Sequence, residues 1–391
     1  MIFDIDSHFE PGDNWLDPYP DLAARLPNLE TGITAVEGVA GDLLRHVPEA
    51  ERPSLEELMP PGLLTLYAQE KGDEADRRAE FEGHNQFEIA NAAARVRWLD
   101  DQGIDIQNVI CLSGMGYGVA LEDQDPPLLR EAIRACNSWL ADTCDPAEGR
   151  LLPVTTLDCS DLDWAIAELT RMRERGSRIF LIPGHPVGGV PPCHPEWDRL
   201  WAAATDLAMT PMLHVGFERT AFDPGWANLG TNVTQLRQFA SSHLHVGAQT
   251  LVSAFIFNGV FERHPRLTLL LAELGVGWLP WFYRQIDGRI TPTSELFLGK
   301  WEYPLKPSEY LARNVRGTPL SWEADQPIAK VIDELPDEMI VFSSDFPHFE
   351  GFVDPLGYYR EALQDTSEER RTRFFGAEMQ AVFARMGDPI A

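Results

Sequence analysis

The sequence predicts an α/β fold, a closed (β/α)8 barrel of the TIM type, and three features indicate it. Eight short apolar segments recur along the 391 residues and alternate with helical patterns. Continuous apolar strands between helices are typical of a parallel sheet that is buried on both faces. Polar side chains follow several of these segments, where such barrels carry their active sites. The first segment has no G-x-G-x-x-G turn, so an open dinucleotide-binding sheet has no support.

Composition limits the class of partner before any motif is considered. An apolar fraction of 44%, with 11 Trp and 20 Phe, is ample for a large core. The formal net charge of −29 argues against nucleic acid or an anionic membrane as the main partner. Five irregularly spaced cysteines predict reduced structural thiols, and neither a signal peptide nor a membrane span is predicted. We therefore expect a cytoplasmic protein that acts on a small molecule.

The first strand is predicted from the apolar residues at the start of the chain, and a long insertion follows it. Residues 11–91 are punctuated by prolines and hold a charged run, 70–82, that predicts an exposed helix. Loops of this length without a role are uncommon, so we expect the insertion to cover the cavity mouth or to pair with a second subunit. Residues 1–391 then form one barrel domain, and a homodimer or larger homo-oligomer is expected.

The remaining elements alternate regularly. Helices are predicted to end at Asp100, before Gly103, and to cover 127–140, 161–175, 197–207 and most of 233–261. A glycine directly after a helix is typical of its C-terminal end. The strands between the helices are predicted over 104–112, 151–157, 179–182, 211–215, 267–271, 319–322 and 339–342.

Polar residues collect at the carboxyl ends of four strands. Asp6 and His8 end the first strand and lie two residues apart, hence on one side of it. Strands five, six and eight end in His214, Glu273 and Asp345. Each residue alone has a structural explanation, such as a buried hydrogen bond or a turn. Five of them at four equivalent strand ends predict a site for one divalent metal ion, and imidazole with carboxylate ligands suits Zn2+ or Mn2+.

The same residues resemble the amidohydrolase-related family of metal-dependent barrels, which contains the aminocarboxymuconate-semialdehyde and γ-resorcylate decarboxylases. The similarity covers nearly the whole chain apart from the insertion, and its motifs are Asp6-x-His8, His214 after 211–213, and Ser344-Asp345-Phe346-Pro347-His348. The resemblance implies a metal ion bound by Asp6, His8, His214 and Asp345. Asp6 stands where the family commonly has His or Glu, and Glu273 stands where its decarboxylases carry a histidine.

Two reactions and one non-catalytic role are compatible with this set. We expect hydrolysis of a small, aromatic or cyclic substrate, in which the metal ion lowers the pKa of a bound water toward about 7. Asp345 would be the general base, with Glu273 and His214 as further catalytic residues. The alternative is non-oxidative decarboxylation of a hydroxylated aromatic or muconate-type acid, with Asp345 as the proton donor. A non-catalytic binding protein with a structural metal ion is the third possibility.

Three further residues are candidates for substrate contact. Arg219, five residues after His214, is a cation that would balance an anionic substrate, and a salt bridge within its loop is the alternative. His348 follows the eighth strand and His185 follows the fourth, so both would face the same end of the barrel. A structural hydrogen bond is the alternative for each histidine.

Overall fold

The structure is a computed structural model that describes residues 1–9, 11, 15–27, 91–122, 124–220, 222–227, 233–320, 328–348, 351 and 354–390. Within these residues, seven strands pair in parallel, and their spatial order is the order of the sequence. The strands are Phe3–Asp4 (β1), Ile106–Val109 (β2), Leu151–Thr155 (β3), Ile179–Leu181 (β4), Thr210–His214 (β5), Leu269–Ala272 (β6) and Val315–Gly317 (β7). The sheet therefore curls with all carboxyl ends on one side.

The eighth predicted strand, 339–342, closes the curled sheet into a barrel. The backbone N–H of Val341 donates to the carbonyl oxygen of Gly317 at 3.0 Å, and that of Ile5 donates to Phe342 at 3.4 Å. The segment therefore lies between β7 and β1, although isolated bridges rather than a continuous ladder hold it there. The predicted (β/α)8 barrel is confirmed, and parallel (β/α)8 barrels place their polar sites at the carboxyl ends of the strands.

Helices connect the strands and cover the outside of the sheet. The α-helices are Pro20–Ala23, Ala92–Gln102, Leu112–Leu121, Pro126–Cys144, Leu162–Glu174, Asp198–Asp206, Val233–Ser241, Leu244–Phe257, Val260–Arg263, Leu279–Ile286, Pro292–Leu298, Pro307–Asn314, Ile328–Asp333, Pro355–Ala362, Glu368–Thr372 and Glu378–Met386. Gly103 ends the second of them in a left-handed conformation with φ of 78°, as the sequence predicts. None of the described helices has the length and apolar character needed to span a membrane.

The apolar residues of β3 to β6 alternate between two cores. Leu152 and Val154 belong to a small cluster inside the barrel, whereas Leu151 faces a larger cluster between sheet and helices. This is the period of two that a strand imposes on its side chains. Phe383, on the last helix, packs against Phe3 with ring centroids 5.2 Å apart and adds to the inner cluster. All five cysteines are buried as free thiols.

Several predicted bounds are wrong for identifiable reasons. The sequence predicts the seventh strand over 319–322, whereas β7 lies at Val315–Gly317. The charged Arg316 interrupts the apolar pattern by which a strand is predicted. Its guanidinium is nevertheless buried, because it pairs with Glu378 at an Nε–Oε1 distance of 2.9 Å. The helix at Leu112–Leu121 begins where the second strand is predicted to end, and the helical stretch 233–261 is interrupted twice.

The insertion predicted after the first strand is described only in part. Most of residues 11–91, including the predicted helix at 70–82, lie outside the described residues. Its role as a cover or as a subunit contact, and the single-domain organisation of residues 1–391, stay predictions.

Candidate metal centre

Six polar side chains converge at the carboxyl end of the barrel. Parallel strands bring their carboxyl ends together, so residues far apart in sequence meet there. Two of them follow β1, one ends β5, one directly follows β6, and two follow the segment 339–342: Asp6, His8, His214, Glu273, Asp345 and His348. The first five are buried and His348 is partly exposed. The sequence predicts all six as site residues, and the structure brings all six together.

The ligand atoms of these residues form two overlapping groups. One group contains Asp6, His8, His214 and Glu273, and the other contains His8, Glu273, Asp345 and His348. Within each group, the four ligand atoms all lie within 4.8 Å of one another. Three of the four ligands expected from the resemblance, Asp6, His8 and His214, are therefore in the first group, whereas Asp345 is only in the second. Glu273 belongs to both groups.

The first group has the spacing of a metal site. The Oδ1 atom of Asp6 lies 3.6 Å from Nε2 of His8 and 3.6 Å from Nε2 of His214. Glu273 places Oε2 3.4 Å from Nε2 of His214 and Oε1 3.5 Å from Nε2 of His8. Ligand bonds of about 2.1 Å in a tetrahedral site separate neighbouring ligand atoms by about 3.4 Å. The four side chains therefore surround a space of the right size for a divalent ion.

The second group is arranged around Asp345 and His348. Nδ1 of His348 lies 3.0 Å from Oδ1 of Asp345, which is hydrogen-bonding distance, and 3.7 Å from Oε1 of Glu273. Oδ1 of Asp345 also lies 3.4 Å from Nε2 of His8. The rings of His8 and His348 stack with centroids 3.8 Å apart. Asp345 therefore lies closer to His348 than to His8.

The unsatisfied atoms of the cluster fit a cation. Both carboxylate oxygens of Asp6, both ring nitrogens of His8 and Nε2 of His214 are buried without a hydrogen-bond partner among the described residues. Buried polar atoms are normally satisfied, so this concentration is unusual. Nδ1 of His214 donates to the carbonyl of Val215 at 2.9 Å, which leaves Nε2 to face the cluster as a ligand. The buried cluster could hold a divalent metal ion.

Burial and neighbouring charges shift the pKa values of the cluster residues in different directions. Burial lowers the pKa of His8 well below its usual value, and the neighbouring His348 adds to this effect, so His8 is neutral as a ligand must be. Burial alone would lower the pKa of His214, but the carboxylates of Glu273 and Asp6 raise it well above its usual value. Burial, followed by the carboxylate of Glu273, raises the pKa of Asp345 well above its usual value. A field that holds an extra proton also attracts a metal ion.

Two of the site residues have a strained backbone. Glu273 and Asp345 adopt left-handed conformations with φ of 56° and 53°. Such conformations cost a non-glycine residue roughly 1–3 kcal/mol and cluster at functional sites. The N–H of Glu273 donates to Oγ1 of Thr318 at 3.2 Å, and the N–H of Asp345 donates to the carbonyl of Asp6 at 3.0 Å. Neighbouring strand ends thus hold both carboxylates toward the cluster.

A buried network of hydrogen bonds, which the residue pattern did not predict, connects to the backbone of the cluster residues. Asp4 accepts hydrogen bonds from the N–H of Ser344 at 2.9 Å and from Nε2 of Gln107 at 2.8 Å. Oε1 of Gln107 accepts from Arg95 at 2.7 Å, and a second nitrogen of Arg95 donates to the carbonyl of His8 at 2.7 Å. Burial raises the pKa of Asp4 to about 6. The spacing of Asp4 and Asp6 could have indicated this network, because residues two apart in a strand point to the same side.

The other two predicted substrate contacts, Arg219 and His185, do not belong to the cluster, and both contact Glu122. Nη2 of Arg219 lies 2.6 Å from Oε2 of Glu122, and Nε2 of His185 lies 3.5 Å from Oε1. Burial alone would raise the pKa of Glu122, but His185 and Arg219 lower it below its usual value. The three residues border a cavity at the ends of β3, β4 and β5, with about 480 Å³ of empty space including its open part. Gly216 and Phe217, which closely follow His214, also line it.

Comparisons with known proteins agree with this architecture. The family profile described as amidohydrolase matches residues 115–377. The chain is 25% identical over 278 residues to the γ-resorcylate decarboxylase of Rhizobium sp. strain MTP-10005, an alignment that covers 65% of this chain and 76% of the relative.

Solved structures are similar over the full length. One is an amidohydrolase from Mycobacterium avium subsp. paratuberculosis K-10, with a TM-score of 0.69, 19% identity and 98% coverage of both chains. Another is a 5-carboxyvanillate decarboxylase from Novosphingobium aromaticivorans DSM 12444, solved with manganese and 4-hydroxy-3-methoxy-5-nitrobenzoic acid. Its TM-score is 0.62 with 17% identity, and 98% of this chain and 96% of that chain are covered.

A barrel with a buried imidazole and carboxylate cluster at its carboxyl end defines a class of proteins built to hold a divalent ion. The family profile covers more than half of the sequence. The chain belongs to the amidohydrolase family, which confirms the resemblance drawn from the sequence.

Proposed function

We propose that this protein is a metal-dependent, non-oxidative decarboxylase of a hydroxylated aromatic acid. The observation that carries the proposal is the sequence relationship to a γ-resorcylate decarboxylase, together with a cluster that contains every metal ligand expected from the sequence. Residue patterns alone place hydrolysis first. The sequence similarity to the γ-resorcylate decarboxylases of two Rhizobium strains favours decarboxylation instead.

Asp6, His8 and His214 would hold the metal ion, since they share one group and have unsatisfied atoms directed into it. A bound divalent ion would supply positive charge for the carboxylate and the adjacent hydroxyl oxygen of the substrate. The cavity at the ends of β3, β4 and β5 would receive the ring. Arg219 and His185 would contact the substrate in this cavity. Glu122 would hold both side chains in position, because each of them contacts its carboxylate.

Asp345 would be the acid of the reaction. It transfers a proton to the ring carbon that carries the carboxylate, and a C–H bond forms there. The bond from this carbon to the carboxylate then breaks, its electron pair returns to the ring, and CO2 leaves. Asp345 remains as a carboxylate and regains a proton from water. His348, at 3.0 Å from Oδ1, is placed to keep the Asp345 side chain in one orientation.

The test is turnover of a substrate panel by the full chain loaded with Mn2+ or Zn2+. We expect CO2 and the corresponding phenol from at least one dihydroxybenzoate or hydroxybenzoate, and no product from Asp345→Asn. Release of an acid from lactones or amides, without CO2 from any benzoate, would instead support hydrolysis. Hydrolysis stays the second candidate because Glu273 supplies a carboxylate where the family's decarboxylases carry a histidine.

A further inference from the structure

We propose that the cavity at the ends of β3, β4 and β5 selects substrates by charge, because Glu122 neutralises Arg219 there. The cavity would accept an uncharged ring substituent, such as a hydroxyl or methoxy group, and exclude a second carboxylate. The substrate would therefore be a hydroxylated aromatic monocarboxylic acid rather than a dicarboxylic one. This inference rests on the proposed function, since it assumes that the ring of an aromatic acid enters this cavity.

Arg219 lines the cavity with its charge already paired. Its Nη2 atom donates to Oε2 of Glu122 at 2.6 Å, and the two side chains are only 17% and 20% exposed. The backbone of Arg219 is left-handed with φ of 32°, a conformation that persists in a non-glycine residue only where the surroundings enforce it. An arginine that is held in this way against a carboxylate offers little attraction to a further anion.

The second carboxylate of the cavity wall, Asp158, is paired as well. Asp158 is 4% exposed, and its Oδ2 atom accepts a hydrogen bond from Nε of Arg130 at 2.8 Å. Among the described residues that line the cavity, Arg219 is the only arginine or lysine, and it faces two carboxylates. A second carboxylate on the substrate would therefore enter without a free cation to pair with it.

The rest of the wall is largely apolar and adjoins the metal cluster. Burying an ion in apolar surroundings costs far more than burying a hydroxyl or ether group. The N–H of Phe217 donates to the carbonyl of His214 at 3.1 Å, and Phe217 also packs against the inner cluster of the barrel. A ring beside the cluster would thus reach this wall. The apolar side chains that line it include Leu129, Ile133, Leu157, Val187 and Phe217.

Gly118 leaves room for a substituent in the cavity. It lies on the helix Leu112–Leu121, and a Cβ atom added there would meet no neighbouring atom of the described residues within 4 Å. At Gly114, one turn earlier, an added Cβ atom would lie 3.0 Å from Oγ1 of Thr156. Gly114 is therefore needed for close packing, whereas the space beside Gly118 is open to a ligand.

The first test is calorimetric titration of the Mn2+-loaded full chain at a pH of about 8, so that histidine protonation does not contribute. The probes are salicylate and its derivatives with a methoxy group or a second carboxylate at each free ring position in turn. We expect the best methoxy derivative to bind at least roughly 10-fold more tightly than the corresponding dicarboxylate.

Glu122→Gln tests the cause of this difference, because it removes the neutralising charge and keeps the shape of the side chain. The preference for the methoxy derivative should fall at least roughly 10-fold or reverse, since Arg219 would then attract the second carboxylate. Glu174 does not line the cavity, and Glu174→Gln should keep the preference of the wild type. Equal affinities in the wild type, an unchanged preference in Glu122→Gln, or no binding of any probe would overturn the proposal.

Gly118→Leu keeps the test decisive if Glu122→Gln does not fold. Leucine favours a helix more than glycine does, so Tm should not fall. The best methoxy derivative should lose at least roughly 10-fold more affinity than salicylate, and equal losses would contradict the cavity assignment. Release of CO2 from the same probes is measured separately. The predicted affinities without any CO2 would refute decarboxylation alone, whereas CO2 release without these affinities would refute the cavity assignment alone.

Discussion

Asp4 accepts a hydrogen bond from the backbone N–H of Ser344, 340 residues later in the chain, and a second from its hydroxyl group. The oxygen of that hydroxyl in turn accepts from the N–H of Phe346 at 3.1 Å. One buried carboxylate of the first strand therefore anchors the backbone on both sides of Asp345. Because Asp345 has a left-handed backbone, this anchor maintains a conformation that the chain would otherwise avoid.

We predict that Asp4→Asn weakens Mn2+ binding by roughly 10–100-fold, the usual effect of removing a residue that orients ligands. The new amide nitrogen would face Nε2 of Gln107, and two donors cannot pair. Calorimetric titration of the metal-stripped protein measures the change.

The double variant Asp4→Asn with Gln107→Glu is the matched control. A carboxylate at position 107 accepts from the new amide and still accepts from Arg95, which lies 2.7 Å from Oε1 of Gln107. We expect it to recover most of the lost affinity. An unchanged affinity in the single variant would show that the network does not orient the ligands.

Removal of metal should lower the stability of the protein. No hydrogen-bond donor among the described residues pairs with the buried oxygens of Asp6. A metal ion that binds there binds the folded state and not the unfolded state, and it therefore raises the free energy of unfolding. At 100 times its dissociation constant, a metal ion adds about 2.7 kcal/mol to the free energy of unfolding. Thermal unfolding after chelation, and after readdition of Mn2+ or Zn2+, measures this gain. His214→Asn should lose the metal-dependent increase in Tm, and an equal increase in that variant would contradict the site.

Glu168 should make a pH-dependent contribution to stability. Burial alone would raise its pKa, but hydrogen bonds from Arg171 and Asn137 lower it below the usual 4.5. A carboxylate with a lowered folded-state pKa stabilises the protein above the unfolded pKa, and this stability is lost as pH falls through the folded value. Glu168→Gln should therefore cost about 2 kcal/mol at pH 7 and progressively less below pH about 4.5.

Urea unfolding of the wild type and of Glu168→Gln between pH 3 and pH 7 measures this difference. Glu174, exposed on the same helix, provides the control, and Glu174→Gln should change the free energy of unfolding at pH 7 by less than about 0.5 kcal/mol. A constant difference between Glu168→Gln and the wild type across this range would mean that the carboxylate has an ordinary pKa.

Gly376 allows the C-terminal region to approach the first strand. A Cβ atom there would lie 2.3 Å from the carbonyl oxygen of Met1 and 3.1 Å from the nitrogen of Phe3. Gly376→Ala should destabilise the protein by about 3 kcal/mol, at the upper end for overpacking, because backbone cannot yield as a side chain can. Gly288 is the control, because a Cβ atom added there would meet no neighbouring atom within 4 Å. Urea unfolding should show Gly288→Ala within about 0.5 kcal/mol of wild type, and equal effects of both substitutions would contradict the packing argument.

Some features of the fold and the site could be predicted from residue patterns and others could not. Strand ends are visible because apolar runs stop at polar residues, so Asp6, His8 and His214 were predictable as neighbours. β7 was not, because Arg316 is buried through an ion pair with Glu378, and no local pattern reveals a partner 62 residues away. The hydrogen-bond network around Asp4 was not predicted either, because its partners Gln107 and Ser344 are also distant in the sequence.

Residue patterns alone predict the barrel, its polar end and, as candidates, the six side chains that meet there. These follow from the period of strands and helices and from the rule that parallel strands align their carboxyl ends. The division of those side chains into two groups, with His8 and Glu273 in both and Asp345 beside His348, depends on the folded chain. Ligand geometry depends on differences of an ångström or less between strand ends, and on backbone conformations that long-range hydrogen bonds impose.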